Sequence, residues 1–267
     1  MESRNPVFGR SEEFSRRGGY ASFDTRTPTP SAGELQDMYG SPSATTADTG
    51  RMTIDDVVMR TAALFTVLLV TAGATWQFLK PTSFGLVLVA ALVGVGLSFA
   101  IQLSKTIRPP LMFLYAAVEG VFIGGISHVF NIQYPGIVGQ AVLGTLATFA
   151  AMLALYRFRI IRVTPKFQRT LLIAGAGYFV FTLINLGFSV FSGNSVYSVG
   201  GLGLLVSAFG VGLAAFFLTL DFDFIERGIS NGLPERYAWI GAFGLVTTLV
   251  WLYVEILRLL AILRGDN

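Results

Sequence analysis

The sequence predicts an all-α integral membrane protein in which seven transmembrane helices form one bundle. Only 13% of the 267 residues are charged and 53% are hydrophobic, whereas soluble domains carry about 25% charged residues. The mean hydropathy is +0.63. Seven long apolar stretches follow one another through the chain, separated by short linkers. The lipid bilayer is therefore the expected solvent of this chain.

Each apolar stretch is long enough to cross a membrane as a helix. A helix rises 1.5 Å per residue, so about 20 residues cross the roughly 30 Å of hydrocarbon. Proline occurs in several linkers, as in Arg108-Pro109-Pro110, where its missing N–H suits a helix start. The domain at 54–267 is predicted to contain helices at 57–79, 83–104, 110–130, 136–157, 168–191, 198–221 and 237–261.

Residues 1–53 are predicted to form a disordered tail. They are rich in Ser, Thr, Gly, Pro and Arg, most clearly at 25–33 and 41–50. A segment of this composition buries too little apolar surface to offset the entropy of ordering. The tail is a candidate docking segment for other membrane proteins.

The composition also excludes several classes of site. Cysteine is absent and there is one histidine, which excludes disulfides, thiolate nucleophiles and sites that need two histidines. The motifs GxxxxGK[ST], HExxH and GxSxG are absent from the sequence. We therefore expect no enzymatic activity, no cofactor and no firmly assigned metal, with calcium or protons as permeant or regulatory ions. The net charge of +3 is typical of cytoplasmic loops and predicts no nucleic-acid binding.

The distribution of basic residues predicts the topology. Lys and Arg are concentrated in the tail and in the second, fourth and sixth linkers, while the third and fifth linkers have none. The positive-inside rule then places the N-terminus in the cytoplasm and, after seven crossings, the C-terminus outside. Arg258 and Arg264 near the far end oppose this assignment. Either they reach the outer interface or the last segment does not fully cross.

Four acidic residues lie within or at the edge of the apolar segments, where a charge costs roughly 2.5–3.5 kcal/mol. Glu119 is central in the third segment and is either an interior cation or proton site or a protonated group bonded to a neighbouring helix. Asp221 and Asp223 end the sixth segment, where they oppose the helix dipole. Because residues two apart point in different directions, at least one should face the bundle. The alternative is a hydrated helix end. Glu255 precedes Arg258 by three residues, so it is either functional or neutralised within its own helix.

Several stretches together resemble one family. The sequence YAAVEG at 115–120, continued by Gly124 and Ser127, resembles the third-helix signature of the transmembrane Bax inhibitor motif family. The run at 138–155 resembles its fourth helix, LDFDFI is similar in position to its sixth-helix ending, and LYVEILRLL resembles its seventh helix. The likeness covers roughly residues 55–263 and is greatest to the bacterial branch. It implies a seven-helix fold with the last helix at the centre of the other six, in a multi-pass protein of the bacterial plasma membrane.

The resemblance also implies a pH-sensitive calcium leak, as in some members, in which a sixth-helix carboxylate pairs with one on the seventh helix and a basic residue latches onto the pair. By motif, the sixth-helix carboxylate is Asp221, with Asp223 as the alternative, and the seventh-helix carboxylate is Glu255. Arg108 or Lys105 would supply the latch. If the seventh helix enters the bilayer at 237, however, Glu255 lies about 27 Å along it. The pair then meets only if the first turns of that helix stand outside the membrane.

Three functions follow from these features. The acidic residues favour a cation-permeation protein, because hard cations take carboxylate and carbonyl oxygens as ligands. The long tail and the spacing of Glu255 and Arg258 favour a non-conducting regulator that binds partner membrane proteins. A small-solute transporter is the third alternative, although the sequence shows no internal repeat of the kind found in many transporters. The sequence predicts no oligomeric state.

Overall fold

The structure, a computed structural model, describes residues 31–33, 36, 50–78, 84–192 and 200–265. The chain divides into two units, 1–45 and 46–267, and all of the long helices belong to the second. The predicted disordered tail at 1–53 lies outside the described residues, apart from the short pieces at 31–33, 36 and 50–53.

Seven helices in the described part of the chain are long and apolar enough to span a membrane, which confirms the predicted all-α fold of seven transmembrane helices. A three-residue 3-10 turn at Glu235–Tyr237 precedes the last of them. The helices are α1 (Ile54–Phe78), α2 (Phe84–Leu103), α3 (Pro109–Gln133), α4 (Ile137–Arg157), α5 (Pro165–Ser192), α6 (Gly200–Ser230) and α7 (Ala238–Gly265).

Large apolar side chains cover the outside of the bundle. Leu69 of α1 is 64% exposed and Phe191 of α5 is 92% exposed. Exposed apolar surface on this scale is unfavourable in water and favourable in lipid. The bundle is therefore a multi-pass membrane domain in contact with the bilayer.

The last helix, α7, is the most buried of the seven. In its most apolar stretch 56% of the residues are buried, compared with 17% in α1 and α2. It contacts α1, α3, α4 and α6. Small residues at its N-terminal half, including Ala238, Gly241 and Ala242, are buried and allow neighbouring backbones to approach closely. The predicted central position of the last helix is confirmed.

The α6 helix is longer than predicted. It continues through the acidic stretch to Ser230, nine residues beyond the predicted end at Asp221. Charged residues end a stretch that is compatible with hydrocarbon, but they do not end a helix. In α6, Asp223 and Arg227 form an i,i+4 ion pair of 2.8 Å. The chain turns only at Gly232, whose φ of +64° suits glycine, followed by Pro234.

The two ends of α7 lie at opposite ends of the bundle. Near its start, the Met52 amide donates to the Leu233 carbonyl oxygen at 2.8 Å. Near its end, Arg264 donates to the Pro135 carbonyl oxygen at 3.0 Å and to the Gln140 side chain at 2.9 Å. Arg264 is thus bound to the α3–α4 linker, and α7 runs the full length of the bundle.

Candidate functional site

The Asp221 carboxylate of α6 faces α7. A Cβ added at Gly244 would lie 2.8 Å from Asp221 Oδ1, so the missing side chain at Gly244 makes room for the carboxylate. The Thr248 side chain, one turn further along α7, lies beside it. Asp221 Oδ2 is buried and has no hydrogen-bond partner among the described residues. Buried polar atoms nearly always have a partner, so this oxygen is a candidate binding atom for a proton, a water molecule or a cation.

Asp223 has a different environment from Asp221. Its carboxylate accepts from Arg227 at 2.8 Å, and the Arg227 side chain is 54% exposed. The neighbouring Glu226 accepts a hydrogen bond from Tyr156 of α4. Of the two aspartates at the end of the sixth predicted segment, Asp221 is therefore the one that enters the bundle, and Asp223 belongs to its polar end.

Glu119 of α3 is also buried. A Cβ added at Gly94 of α2 would lie 2.7 Å from Glu119 Oε1, so this carboxylate also fits against a position of a neighbouring helix that has no side chain. The Tyr115 side chain, one turn earlier on α3, lies beside it. Tyr115 in turn lies beside Thr247 of α7, whose Oγ1 is buried without a hydrogen-bond partner among the described residues.

Thr247 and Thr248 connect these two acidic residues across the central helix. They are consecutive on α7, with Thr247 beside Tyr115, which also borders Glu119 of α3, and Thr248 beside Asp221 of α6. We call these five residues the polar layer. Sequence reasoning missed both threonines, because a threonine in an apolar helix commonly bonds to the backbone of its own helix and carries no functional signal.

Glu255 lies elsewhere on α7, in a cluster of side chains that donate hydrogen bonds to its carboxylate. It is 2% exposed. Its carboxylate accepts from Tyr178 of α5 at 2.9 Å, from Trp251 at 3.1 Å and from Arg258 at 3.0 Å. A Cβ added at Gly210 of α6 would lie 2.7 Å from Glu255 Oε2. Glu255 is thus neutralised within its own helix, as the second sequence interpretation predicted, and it also connects α5 to α7.

Asp221 and Glu255 do not meet. On α6, Asp221 faces Gly244 and Gly210 faces Glu255. The two contacts are eleven residues apart on each of the antiparallel helices, which is about 16 Å along the axis. The expected Asp221–Glu255 carboxylate pair is therefore wrong for this structure. Its physical cause is the extension of α6 to Ser230, which places the seventh residue of α7, and not its middle, opposite Asp221.

The two candidate latch residues lie in the α2–α3 linker. Lys105 and Arg108 are exposed, and Arg108 Nε donates to Thr106 Oγ1 at 3.1 Å. Neither forms an ion pair with an acidic residue in the part of the chain that the structure describes. Arg108 does line a cavity of about 260 Å³ together with Ile240 and Phe243 of α7. Arg108, one of the two candidates for the latch, therefore borders the α7 turn that precedes Gly244.

No metal site of the usual composition is formed by the described residues, since they contain no cluster of three or more His, Asp or Glu side chains. A cation at the polar layer would be held by one carboxylate together with hydroxyl oxygens, because α7 separates Asp221 from Glu119. Such a site suits transient occupancy better than tight binding, because calcium affinity grows with the number of charged ligands.

The whole chain was compared with known proteins. A family model described as Bax inhibitor 1 like matches residues 5–265. A comparison with curated individual proteins gives no match. The family match covers the entire seven-helix bundle and bears out the resemblance to the Bax inhibitor family.

Proposed function

The chain belongs to the Bax inhibitor 1 like family of membrane proteins, and we propose that it is a pH-sensitive cation leak in which Asp221 is the gating carboxylate. The observation that supports this is the buried Oδ2 of Asp221, which has no hydrogen-bond partner among the described residues. A carboxylate in this position needs a proton or a positive charge. Calcium and protons are the ions that we propose it responds to.

The polar layer supplies the chemistry for such a leak. Hard cations take oxygen ligands, and the layer brings the carboxylates of Asp221 and Glu119 to the two sides of Thr247 and Thr248. We propose Glu119 as the second carboxylate of the gate, in place of Glu255. Because α7 lies between the two acidic residues, a small movement of this helix changes the surroundings of both.

Protonation is the proposed trigger. An ionised Asp221 attracts a basic residue, and Arg108, on the wall of the cavity that Phe243 also lines, is the proposed latch. Protonating Asp221 removes that attraction and biases the equilibrium between closed and open states. Glu255 has a separate role in this proposal, since its hydrogen bond from Tyr178 connects α5 to α7.

We propose that the protein lies in a bacterial plasma membrane with α1 beginning on the cytoplasmic side. The bundle end at which α1 begins also carries the α2–α3, α4–α5 and α6–α7 linkers, which together with the adjoining helix turns contain most of the Lys and Arg residues outside the tail. The positive-inside rule assigns such an end to the cytoplasm. The polar layer then lies in the cytoplasmic half of the bundle.

Calcium flux into liposomes tests the proposed function. The purified protein is reconstituted at about pH 6 and about pH 8, so that the proton concentration differs about a hundredfold. We expect wild-type flux to differ between the two conditions and Asp221→Asn to remove that difference. Asp223→Asn is the matched control, because Asp223 is two residues away on the same helix and already paired with Arg227. Flux that is unchanged in Asp221→Asn, or equally changed in both variants, would contradict the gating role.

A second function, a non-conducting regulator that binds partner membrane proteins, is favoured by the Glu255 cluster. All three donors to Glu255 come from the protein itself, so this carboxylate has no need of an ion. In that case no variant shows flux above empty liposomes, and partners co-purify with the full chain but not with a chain that lacks residues 1–49. Neither function requires enzymatic activity.

A further inference from the structure

The four residues Gly50–Thr53, which we call the strap, pair with the connection between α6 and α7. The Met52 amide donates to the Leu233 carbonyl oxygen, and the Glu235 amide donates to the Gly50 carbonyl oxygen, each at a distance of 2.8 Å. These two bonds flank Arg51 and Pro234, which face each other as an isolated antiparallel bridge. The strap is therefore fixed to the α6–α7 connection by its backbone.

The Met52 side chain fills a socket between the two helices. It is completely buried. A Cβ added at Gly228 of α6 would lie 3.1 Å from its Sδ, and one added at Gly241 of α7 would lie 3.6 Å from its Cε. Because both walls of the socket are glycines, the sulfur atom and the terminal methyl occupy space that side chains fill elsewhere in the bundle.

Two further contacts fix the strap and the helix that follows it. Thr53 and Asp56 form a capping box at the start of α1, in which the Asp56 amide donates to Thr53 Oγ1 at 3.1 Å and the Thr53 amide donates to Asp56 Oδ2 at 3.0 Å. One turn later, Arg60 pairs with Glu235 and its guanidinium lies 5.3 Å from the centre of the Trp239 ring. The strap thus connects a capped helix start to the beginning of α7.

We infer that the strap controls the contact between Asp221 and α7. The socket lies close to that contact: Gly228 is two turns beyond Asp221 on α6, about 10 Å away along the axis, and Gly241 is one turn before Gly244 on α7. Withdrawal of Met52 leaves a gap between the ends of α6 and α7. Packed interfaces respond to such a gap by rearranging. The effect on ion flow rests on the proposed leak, whereas the coupling itself rests on the contacts alone.

Amide hydrogen exchange of the detergent-solubilised full chain tests the coupling without any reference to flux. We compare Met52→Ala with Met59→Ala, since Met59 is 71% exposed and lies seven residues further along. Removing a fully buried side chain promotes local opening, so we expect roughly tenfold faster exchange at residues 228–248 in Met52→Ala than in Met59→Ala. Equal exchange in the two variants at these residues would overturn the inference.

A disulfide provides the complementary test, in which the strap is locked. The chain has no cysteine, so the double variant Arg51→Cys/Pro234→Cys contains a single pair. The hydrogen bonds join the residues on either side of Arg51 and Pro234, so these two residues form a non-hydrogen-bonded pair. The Cα atoms of such a pair are typically about 4.5 Å apart, which is within the range of disulfides. We expect exchange at residues 240–248 to be slower in the oxidised protein than in the reduced one. In liposomes we expect roughly fivefold or more lower calcium flux on oxidation, reversed by a reducing agent.

The single variants Arg51→Cys and Pro234→Cys, treated with the same oxidant, serve as controls and should show no change. Flux and exchange that are both insensitive to oxidation of the double variant would overturn the inference. If no form conducts, the proposed leak fails, and the exchange measurements still decide whether the strap is coupled to the turn that faces Asp221.

Discussion

Asp221 of α6 and Gly244 of α7 lie in direct contact, so that a Cβ at position 244 would lie only 2.8 Å from Asp221 Oδ1. Gly244→Ala must therefore displace the carboxylate or separate the two helices. We expect it to lower the free energy of unfolding by about 1–3 kcal/mol, the usual cost of overpacking, although alanine is the better helix former. Unfolding in mixed detergent micelles measures this, and we also expect the pH response of the flux to change.

Gly212→Ala is the control for this substitution. Gly212 lies on the same α6 helix as Asp221, but nothing lies within 4 Å of a Cβ built there. We expect this variant to be neutral or stabilised by up to about 1 kcal/mol through helix propensity. Equal stability of the two alanine variants would show that the space opposite Asp221 is not limiting.

The buried ion pair between Glu255 and Arg258 predicts strong coupling between the two residues. Arg258→Met leaves Glu255, which is 2% exposed, without its positive partner, and breaking a buried pair in this way costs roughly 3–5 kcal/mol. The double variant Glu255→Gln/Arg258→Met removes both charges, so we expect it to recover much of the loss. A double-mutant cycle of unfolding free energies measures the coupling.

The pair between Asp223 and Arg227 gives an internal comparison, since the Arg227 side chain is 54% exposed. Exposed pairs contribute about 0–1 kcal/mol, so Arg227→Met should be nearly neutral. An Arg258→Met variant that is no less stable than Arg227→Met would disprove the importance of the buried pair.

The contact between Gly210 and Tyr178 predicts a rescue. A Cβ at Gly210 would overlap the Tyr178 hydroxyl and lie 2.7 Å from Glu255 Oε2, so Gly210→Ala should destabilise the protein by about 1–3 kcal/mol. Tyr178→Phe removes the hydroxyl and the 2.9 Å bond to Glu255, at a cost of about 1 kcal/mol. We expect the double variant to be more stable than the sum of the single effects, as measured by unfolding in micelles. Strictly additive losses would contradict the contact.

The seven helices could be predicted from the sequence because crossing a bilayer requires a long apolar segment, and that requirement is visible residue by residue. The end of α6 could not be predicted in the same way. Asp221, Asp223 and Glu226 end the apolar stretch, but the helix continues because its backbone hydrogen bonds do not depend on lipid. Its true end follows from the turn at Gly232 and Pro234.

The candidate site could be predicted only in part. The cost of burying a charge identified Asp221, Glu119 and Glu255 as residues with a special environment. Which of them share a site depends on the register of α6 against α7, and that register is set by packing over both helices rather than by any local motif. The threonines of the polar layer gave no signal, because their neighbours on α3 and α6 are distant in sequence.

The position of Arg264 beside the α3–α4 linker predicts which parts of the chain are reached from the same side of the membrane. Arg264 donates to the Pro135 carbonyl oxygen at 3.0 Å, whereas the strap binds the α6–α7 connection at the other end of the bundle. The absence of cysteine allows single substitutions to be labelled with a membrane-impermeant maleimide. We expect Gln133→Cys and Gly265→Cys to be labelled from outside intact cells and Asn231→Cys only after the membrane is opened. Labelling of Gly265→Cys and Asn231→Cys from the same side would show that α7 does not cross, since its two ends would then face one compartment.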